Sequence, residues 1–393
     1  MISVEEARQR LLALVRPLPA CVLTLPTATG RFLAEDIIAK RNQPSLHLSA
    51  MDGYAVSFAD AAGPWSVIGE SAAGRGFDGS VRTGEAVRIF TGAPLPQGTD
   101  VVIIQEDINR IGDEISLNTS APPQPWHHVR MAASDFAEGD RIIPEGTWVS
   151  AGTIGAAAMA GHAALQVGGI PHIAIISSGD ELVPPGLPLT SEQIPASNGV
   201  MIAAMLANLP CTVTDLGIAS DDMASLSARF EQAKGADIIL TIGGASVGDH
   251  DLVHRAAIAA GAQMDFWRIA VKPGKPLMAG KLGNSLLLGL PGNPGSAFVT
   301  AFLFLLPLVR HLAGSGNPWP VSLSAPCTLP LAAGGTRAEY LRAIIQDGVL
   351  TPFNMQDSGV TRPLASANAL IIRAVDAAPV TAGDHVNYIP VDV

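Results

Sequence analysis

The sequence has few cysteines and no excess of basic residues, and each shortage excludes a class of protein. The 393 residues contain only three cysteines, Cys21, Cys211 and Cys327, which form no C-x-x-C pair. This pattern indicates neither a disulfide framework nor a zinc site, and it fits a reducing cytoplasm. The formal net charge is -11, so the chain lacks the positive charge that displaces counterions from nucleic-acid phosphates. We therefore expect a cytoplasmic protein without a nucleic-acid partner.

Signals for secretion and for membrane insertion are also missing. The first residues, MISVEEARQRLLALV, carry an acidic pair in place of the basic start of a signal peptide. They predict a helix, with Ser3 and Glu6 as a capping box. The most apolar run, residues 298–309, is shorter than the roughly 20 residues that span a bilayer, and it contains Pro307. We predict a buried core helix here and no membrane partner.

The apolar pattern divides the chain into several domains, as its length requires. Residues 46–137 alternate short apolar runs with Gly and Pro, which favours strands, and the chain is β-like again after residue 318. Residues 138–168 predict turns followed by an alanine-rich helix that ends near Gly168. From residue 169 to 313, strands alternate with helices, which is typical of a three-layer α/β domain with a parallel, doubly wound sheet. Its predicted strands are residues 172–177, 211–218, 237–242, 266–271 and 285–290.

Polar residues that follow two of these strands are the first candidates for a site. In open α/β sheets, ligands bind at the carboxyl ends of strands. The strand at 172–177 leads into SSGDEL, and the strand at 237–242 leads into GGASVGDHD. Their acidic side chains predict a Mg²⁺ site, because Mg²⁺ takes oxygen ligands and shares them with substrate phosphates. Each acidic cluster alone is equally typical of a helix N-cap.

Two further loops have features of an anion site. The loop VKPGKP holds Lys272 and Lys275 on a rigid Pro-Gly turn, which suits an oxyanion or a phosphate. The loop GLPGNPGSAF leads from a strand to the apolar helix, whose start offers free backbone N–H groups. The alternative for this second loop is a stiff helix entry without a ligand.

A literal G-x-S-x-G pattern at residues 244–248 indicates a different possible reaction, hydrolysis by a nucleophilic serine. It follows a strand and precedes a helix, as in the nucleophile elbow of α/β-hydrolases, with Ser246 as the nucleophile. The later histidines are poorly placed for a triad, because His254 is too close along the chain and His311 ends an apolar helix. A serine hydrolase is therefore the less favoured alternative.

Six motifs, in this order, resemble those of the molybdopterin molybdenumtransferase family, which includes the gephyrin E domain. They are SAMDGYAV, RIFTGAPLPQGTDVVIIQED, SSGDELVPPG, TIGGASVGDHDLV, VKPGKP and LLGLPGNPGSAF. The resemblance runs from the N-terminal helix to residue 393. It implies a homodimer whose protomer has an N-terminal helical dimerisation segment (1–45 with 138–168), an inserted mostly-β domain (46–137), a molybdopterin-binding α/β domain (169–313) and a C-terminal β barrel (318–393).

The resemblance also implies a reaction and a set of site residues. Family members insert molybdenum from molybdate into adenylylated molybdopterin with Mg²⁺, releasing AMP and forming molybdenum cofactor. A molybdopterin adenylyltransferase and recipient molybdoenzymes are then the implied protein partners. The implied catalytic residues are Asp52, Thr91, Asp135, Glu181 and Asp251, of which Asp52 and Thr91 reach the partner's cleft. The implied substrate-binding residues are Ser178, Gly179, Gly243, Gly244, Ser246, Gly248, Lys272, Lys275, Pro291, Asn293, Pro294, Ser296 and Arg342. The implied metal ligands are Asp180, Glu181, Asp249 and Asp251.

Three segments depart from the family pattern. The family's R-x-x-G-E-D reads RMAASD at residues 130–135, and its D-S-N reads Ala196-Ser197-Asn198. Its paired serines are replaced within residues 361–363, where Arg362 either holds molybdate or closes the pocket. These changes keep a second hypothesis open, a non-catalytic paralogue that carries molybdopterin or its cofactor.

Overall fold

The computed structural model describes residues 1–118, 124–244 and 252–391. Up to residue 168, the described residues form short strands and three α-helices. The helices are α1 (Val4–Leu14), α2 (Leu25–Ala28) and α3 (Ala151–Met159). The strands are β1 (Cys21–Thr24), β2 (Ile37–Ile38), β3 (Leu48–Ser49), β4 (Gly53–Val56), β5 (Trp65–Ser71), β6 (Glu85–Ile89), β7 (Val101–Ile104), β8 (Ile108–Ile111), β9 (Glu114–Leu117), β10 (Val129–Arg130), β11 (Arg141–Ile143) and β12 (Ala164–Val167).

Helix α1 begins at the predicted N-cap, Ser3, but only the Ser3 half of the predicted capping box forms. The Ser3 hydroxyl accepts the Glu6 N–H at 3.0 Å, while the Glu6 carboxylate pairs with Arg10 one turn further on. Strands β4 to β9 form one six-stranded sheet in the order β7-β4-β6-β5-β9-β8. This sheet is the expected β structure within residues 46–137.

The helix predicted to end near Gly168 is shorter than expected. Helix α3 ends at Met159 because Gly161 takes a left-handed conformation (φ +92°). The Gly161 and His162 N–H groups then bond to the carbonyls of Ala158 and Ala157, which is a Schellman motif. The following residues form β12, which pairs antiparallel with β1.

The α/β part, residues 169–313, has a mixed sheet. Its strands are β13 (His172–Ser178), β14 (Leu182–Val183), β15 (Ile194–Pro195), β16 (Thr212–Ala219), β17 (Ile238–Ile242), β18 (Gln263–Arg268), β19 (Val271–Lys272), β20 (Pro276–Leu282) and β21 (Ser285–Leu290). Its helices are α4 (Ser197–Leu206), α5 (Met223–Gln232), α6 (Leu252–Ala259), α7 (Pro294–Thr300) and α8 (Leu306–Leu312). The main sheet has the order β16-β13-β17-β21-β20-β18, in which the first four strands are parallel.

The prediction of a parallel sheet is therefore wrong at one strand, because β20 runs antiparallel to both of its neighbours, β21 and β18. Strand β20 was not predicted at all, because its sequence starts in the lysine turn and contains Gly280. That glycine allows a close approach of two strands, since a Cβ there would lie 2.4 Å from the Gln263 carbonyl oxygen.

Helices cover both faces of this sheet. The apolar face of α1, with Ala7 and Leu11, is buried in the same core as α4, α7 and α8, whereas α5 and α6 pack on the other face. Helix α1 thus belongs by packing to the α/β part of the molecule.

The apolar helix is longer than the run predicted from sequence. Pro294–Leu312 forms one continuous 19-residue helix, in which π-helical turns at Ala301–Leu305 join α7 to α8. The wider turns precede Pro307, whose ring would clash with the Leu303 carbonyl in a regular helix. By length and composition this helix could cross a membrane, but 89% of its most apolar window is buried inside the protein. It is a core helix.

The C-terminal part forms a barrel that is tied to the α/β part. Its strands are β22 (Leu323–Pro326), β23 (Ala338–Gln346), β24 (Val349–Pro352), β25 (Ala369–Arg373) and β26 (His385–Pro390). The path β24-β23-β25-β26-β22 closes where the Thr328 N–H donates to the Leu350 carbonyl at 2.8 Å. Strand β19 of the α/β part pairs in parallel with β23, so one sheet crosses the boundary between the two domains.

Candidate active site

A crevice opens at the carboxyl ends of β13 and β17. The two strands are neighbours in the sheet. The chain leaves β13 towards β16 at one edge of the sheet and leaves β17 towards β18 at the other edge. Open α/β sheets bind ligands at the point where the strand order reverses in this way. The two strand ends touch, because a Cβ at Gly243 (φ +89°) would lie 2.4 Å from the Ser178 carbonyl oxygen. A cavity of about 960 Å³ lies between them. We call this cavity the crevice.

One wall of the crevice is acidic. Glu181 and Asp221 line it, and the Ser178 hydroxyl donates to Asp221 Oδ1 at 2.9 Å. Asp180 accepts the Asp221 N–H at 2.9 Å, so its carboxylate fixes the next loop in the way a capping group does. The Glu181 carboxylate lies against Gly179, where a Cβ would be 2.5 Å from Oε2.

Asp221 was missed by the sequence reasoning. It follows β16 in the segment ASDDM. Like the loops SSGDEL and GGASVGDHD, this segment has an acidic residue shortly after a predicted parallel strand. Applying the strand-end rule to every strand would have found it.

The predicted metal site is described only in part. Asp249 and Asp251 lie outside the described residues, as do Ser246 and Gly248. Within the ranges 1–118, 124–244 and 252–391, no group of three or more His, Cys, Asp or Glu residues is placed to hold a metal ion. Glu181 and Asp221 are the carboxylates that reach the crevice from these ranges.

The opposite wall is the start of α7, with Pro291, Asn293, Pro294 and Ser296 at its surface. Fewer backbone N–H groups are free at this helix start than the sequence predicts. Pro294 has none, and the Gly295 N–H donates to the Ser358 carbonyl at 2.8 Å. Asn198, from the altered D-S-N motif, fixes this wall by donating to the Gly292 carbonyl at 2.6 Å.

The two lysines are placed differently. Lys272 Nζ lies 2.8 Å from Glu339 Oε1, across the pairing of β19 with β23. Lys275 has no ion pair with any residue in the described part of the chain, and it precedes Pro276, which lines the crevice. Lys275 is therefore the more available cation for an anionic ligand.

Arg342 does not line the crevice. Its side chain is fully buried, and its N–H groups donate mainly to backbone carbonyls of residues 355–360. Burial lowers the pKa of its guanidinium below the ordinary value.

The altered segment at residues 361–363 splits between two cavities. Thr361 and Gly359 line the crevice, whereas Arg362 lines a separate cavity of about 390 Å³ with Phe353 and Met355. Arg362 thus neither fills the crevice nor faces it, so neither role considered for it fits its position.

Asp52 and Thr91 lie together in the β domain, away from the crevice lining. The Thr91 N–H and hydroxyl both donate to Asp52 Oδ1, at 2.8 and 2.9 Å. The backbone N–H and then the hydroxyl of Thr91, with the charge of Arg88 a smaller influence, hold the Asp52 pKa below its ordinary value.

Asp135 lies elsewhere again. It lines a second cavity, of about 680 Å³, with Phe136, Arg141 and Met159. Ala133, which replaces the family's glycine two residues earlier, still has the left-handed backbone (φ +60°) that a glycine favours.

Three family models match successive parts of the chain. They are the MoeA N-terminal region (domain I and II) at residues 2–161, a probable molybdopterin binding domain at 174–311 and the MoeA C-terminal region (domain IV) at 324–391.

Full-length relatives agree with these matches. A Haemophilus influenzae protein named molybdopterin molybdenumtransferase is 35% identical and covers 99% of this chain and 98% of its own length. A Mycobacterium tuberculosis protein named molybdopterin molybdenumtransferase 2 is 32% identical, with 98% of each chain covered. The crystal structure of a Pyrococcus horikoshii molybdopterin biosynthesis MoeA protein, 26% identical, superposes with a TM-score of 0.83 over 100% of both chains. The chain therefore belongs to the molybdopterin molybdenumtransferase family.

Proposed function

We propose that this chain is a molybdopterin molybdenumtransferase that binds adenylylated molybdopterin and molybdate in the crevice, releases AMP and forms molybdenum cofactor. The observation that carries the proposal is the crevice itself, which has acidic side chains and the start of α7 in its lining and Pro276, the residue after Lys275, at its edge. Relatives that are 29–35% identical over at least 93% of the chain bear the name of this enzyme, which favours it over a carrier paralogue.

The acidic wall suits the pyrophosphate end of the substrate when Mg²⁺ is bound. Glu181 and Asp221 offer the oxygen ligands that Mg²⁺ takes, and the sequence adds Asp249 and Asp251. A bound Mg²⁺ would neutralise charge on the phosphates as AMP departs. The Ser178 hydroxyl orients Asp221, and Asp180 holds the Asp221 backbone, so the wall is fixed before substrate arrives.

The α7 wall suits molybdate. Lys275 supplies a positive charge, and the helix start supplies a favourable dipole for an oxyanion. Molybdate and the phosphates of the substrate repel each other, so holding them on opposite walls lets both anions approach the reaction point. This is a positioning mechanism, in which bound geometry lowers the barrier.

The proposed enzyme is a homodimer in which Asp52 and Thr91 reach the crevice of the partner. In their own chain they belong to the β domain, and the crevice lining within the described ranges includes neither of them. The cavity around Asp135, lined by Asp140 and Arg141 as well as Phe136 and Met159, offers a concave, largely polar surface to a second copy.

The other partners follow from the substrate and the product. A molybdopterin adenylyltransferase would supply the adenylylated substrate, and recipient molybdoenzymes would take the cofactor, in the cytoplasm. The hydrolase alternative rests on Ser246, which lies outside the described residues, and the family membership favours the transferase.

The test is to mix the purified protein with adenylylated molybdopterin, Mg²⁺ and molybdate, and to follow AMP release and cofactor formation together. Both should appear and depend on molybdate. Glu181→Gln should lower the rate at least about 100-fold, because it removes a charge from the acidic wall. Glu231→Gln is the matched control, since Glu231 lies exposed on α5 and pairs with Lys234. Binding of the pterin without AMP release would instead establish the carrier paralogue.

A further inference from the structure

Arg88 connects three segments of the β domain around the turn that carries Asp52. Its NH1 group donates to the Gly53 carbonyl at 3.2 Å, and its NH2 group donates to Gln105 Oε1 at 2.6 Å. The Gln105 N–H in turn donates to the Asp52 carbonyl at 3.1 Å. Two successive backbone carbonyls, those of Asp52 and Gly53, are therefore held by Arg88, one of them directly and the other through Gln105.

Two aromatic rings hold the guanidinium itself. Arg88 Cζ lies 5.0 Å from the centre of the Tyr54 ring and 4.9 Å from the centre of the Phe90 ring. Arg88 and Tyr54 are opposite each other in the antiparallel pair of β6 and β4, so their side chains share one face of the sheet. A guanidinium over an aromatic face is attracted by the π electrons of the ring. Arg88 is thus a fixed point from which the neighbouring turn can be held.

The carboxylate of Asp52 is held on one oxygen atom only. The Thr91 N–H and hydroxyl both donate to Oδ1, whereas Oδ2 accepts no hydrogen bond from any residue that the structure describes. The turn has no room to shift towards β7, because a Cβ at Gly53 would overlap the Ile103 carbonyl oxygen. Oδ2 is therefore the atom with which Asp52 can meet a ligand, and its direction depends on the backbone at residues 52–53.

We propose that Arg88 is a positioning residue, which fixes the turn at residues 52–53 so that Asp52 Oδ2 is presented to the partner's crevice. The inference rests on the proposed function, in which Asp52 reaches the crevice of a second copy. Arg88 acts on Asp52 through the Gly53 carbonyl and through Gln105. A carboxylate that is aimed before the reaction lowers the barrier, since no further ordering is needed in the transition state. A looser turn should therefore slow the reaction more than it weakens substrate binding.

The experiment compares two substitutions of Arg88 with one of Gln105. Arg88→Met keeps an apolar stem between the two rings and removes every donor. Arg88→Lys keeps the positive charge and loses the planar fork that reaches two acceptors. Gln105→Met removes the acceptor of the NH2 group and leaves Arg88 in place.

The expected change is in kcat. AMP release should slow about 10- to 30-fold in Arg88→Met, about 5- to 10-fold in Arg88→Lys and about threefold in Gln105→Met. The KM for adenylylated molybdopterin should stay within about threefold of the wild-type value in all three variants. A role in stability alone would lower the amount of folded protein and leave the kcat of the folded enzyme unchanged.

Hydrogen exchange at the Thr91 amide gives a second measurement, which does not need activity. Because this N–H is bonded to Asp52 Oδ1, its exchange reports how firmly the carboxylate is held. Exchange should become about tenfold faster in Arg88→Met and about threefold faster in Gln105→Met.

Arg110→Met is the matched control. Arg110 belongs to the same sheet, and it donates to the Tyr54 hydroxyl at 3.5 Å and to the Gly112 carbonyl at 2.7 Å, away from the turn at residues 52–53. Its substitution should change neither kcat nor the exchange of Thr91.

Three results would overturn the proposal. If Arg88→Met raises the KM at least about tenfold without faster exchange at Thr91, Arg88 binds the substrate directly. Wild-type kcat in Arg88→Lys would show that the charge alone suffices, and an equal loss of kcat in Arg110→Met would show general damage to the β domain. If the wild-type protein releases no AMP, the proposed function fails, and the exchange contrast between the Arg88 and Arg110 variants still decides whether Arg88 holds Asp52.

Discussion

In the crevice, polar groups from several separate segments surround one cavity, whereas in the β domain the half-buried Asp52 and the exposed Thr91 satisfy each other. The crevice has two chemically different walls within one chain. The Asp52–Thr91 pair has an ordered carboxylate, and it lines none of the three cavities described above. The difference teaches that each part is ordered within its own segment of one chain, and in the proposed homodimer a second copy of the chain would bring the two parts together.

The strongest test of this comparison is complementation between two inactive variants. Asp52→Asn and Glu181→Gln should each lower the rate of AMP release at least about 100-fold. In a mixed dimer one of the two sites would combine an intact crevice with an intact Asp52. Random reassociation should then restore about a quarter of wild-type activity. If differently tagged subunits co-purify as mixed dimers and no activity returns, both residues serve the same chain's site.

A substitution at the contact of the two strand ends tests how rigid the crevice is. Gly243→Ala should cost about 2 kcal/mol or more of unfolding free energy, because a left-handed backbone and a close carbonyl both oppose a side chain. Gly235→Ala is the matched control, since Gly235 has the same φ of +89° with nothing within 4 Å of a Cβ. Its cost should be smaller, about 1 kcal/mol. Denaturant unfolding measures both, and equal costs would show that the strand ends yield easily.

In the β domain, the pKa of the Asp52 carboxyl group should depend on the hydrogen bonds that Thr91 donates to it. The folded-state pKa of Asp52 is lowered, so its stabilising contribution is present above the ordinary carboxyl pKa and is lost as pH falls through the lowered one. Thr91→Val should raise this pKa only partway, because the Thr91 N–H, the larger cause, remains.

Carboxyl NMR titration checks this expectation against a second Asp–Thr pair. At Asp384 the Thr381 hydroxyl is the larger cause of the lowered pKa, ahead of the Thr381 N–H. Thr381→Val should therefore reverse a larger share of the pKa lowering at Asp384 than Thr91→Val reverses at Asp52. The reverse order would show that the Thr91 hydroxyl dominates.

The smallest expected effect concerns the altered family motif next to Asp135. Ala133→Gly should stabilise the protein by about 1 kcal/mol, because Ala133 carries a left-handed backbone (φ +60°) at a cost that glycine avoids. Ala132→Gly, without a positive φ, should destabilise it instead. Thermal unfolding of both variants decides the matter, and a destabilising Ala133→Gly would mean that the methyl group packs usefully.

Much of the crevice could be predicted from sequence because its parts are local. A short stretch of residues determines each of these parts: the strand end near Gly179, the strand end near Gly243, and the start of α7 with its flanking prolines. The rule that ligands bind at strand ends then brings them together. Strand β20 could not be predicted because it begins at Pro276, directly after the turn-forming residues of the lysine loop.

What could not be predicted depends on contacts between distant segments. Ser358 forms hydrogen bonds with Gly295 and Asn293, which lie more than sixty residues earlier in the chain. No pattern in the sequence predicts this contact. The family resemblance marked Arg342 as important, but its burial and its bonds to residues 355–360 appear only in the folded barrel. The different surroundings of Lys272 and Lys275 likewise follow from the strand pairing of β19 with β23.

The packing of α1 has a consequence for the order in which the protein folds during synthesis. Residues 4–14 are made before α8, which ends at residue 312, yet their apolar face is buried in the same core as that helix. At the usual speed of translation, about 5–20 residues per second, this helix waits on the order of 15 to 60 seconds for its binding surface. Until α8 is made, the core that covers Leu11 is incomplete, so the nascent chain leaves part of an apolar helix face open to other proteins in the cell.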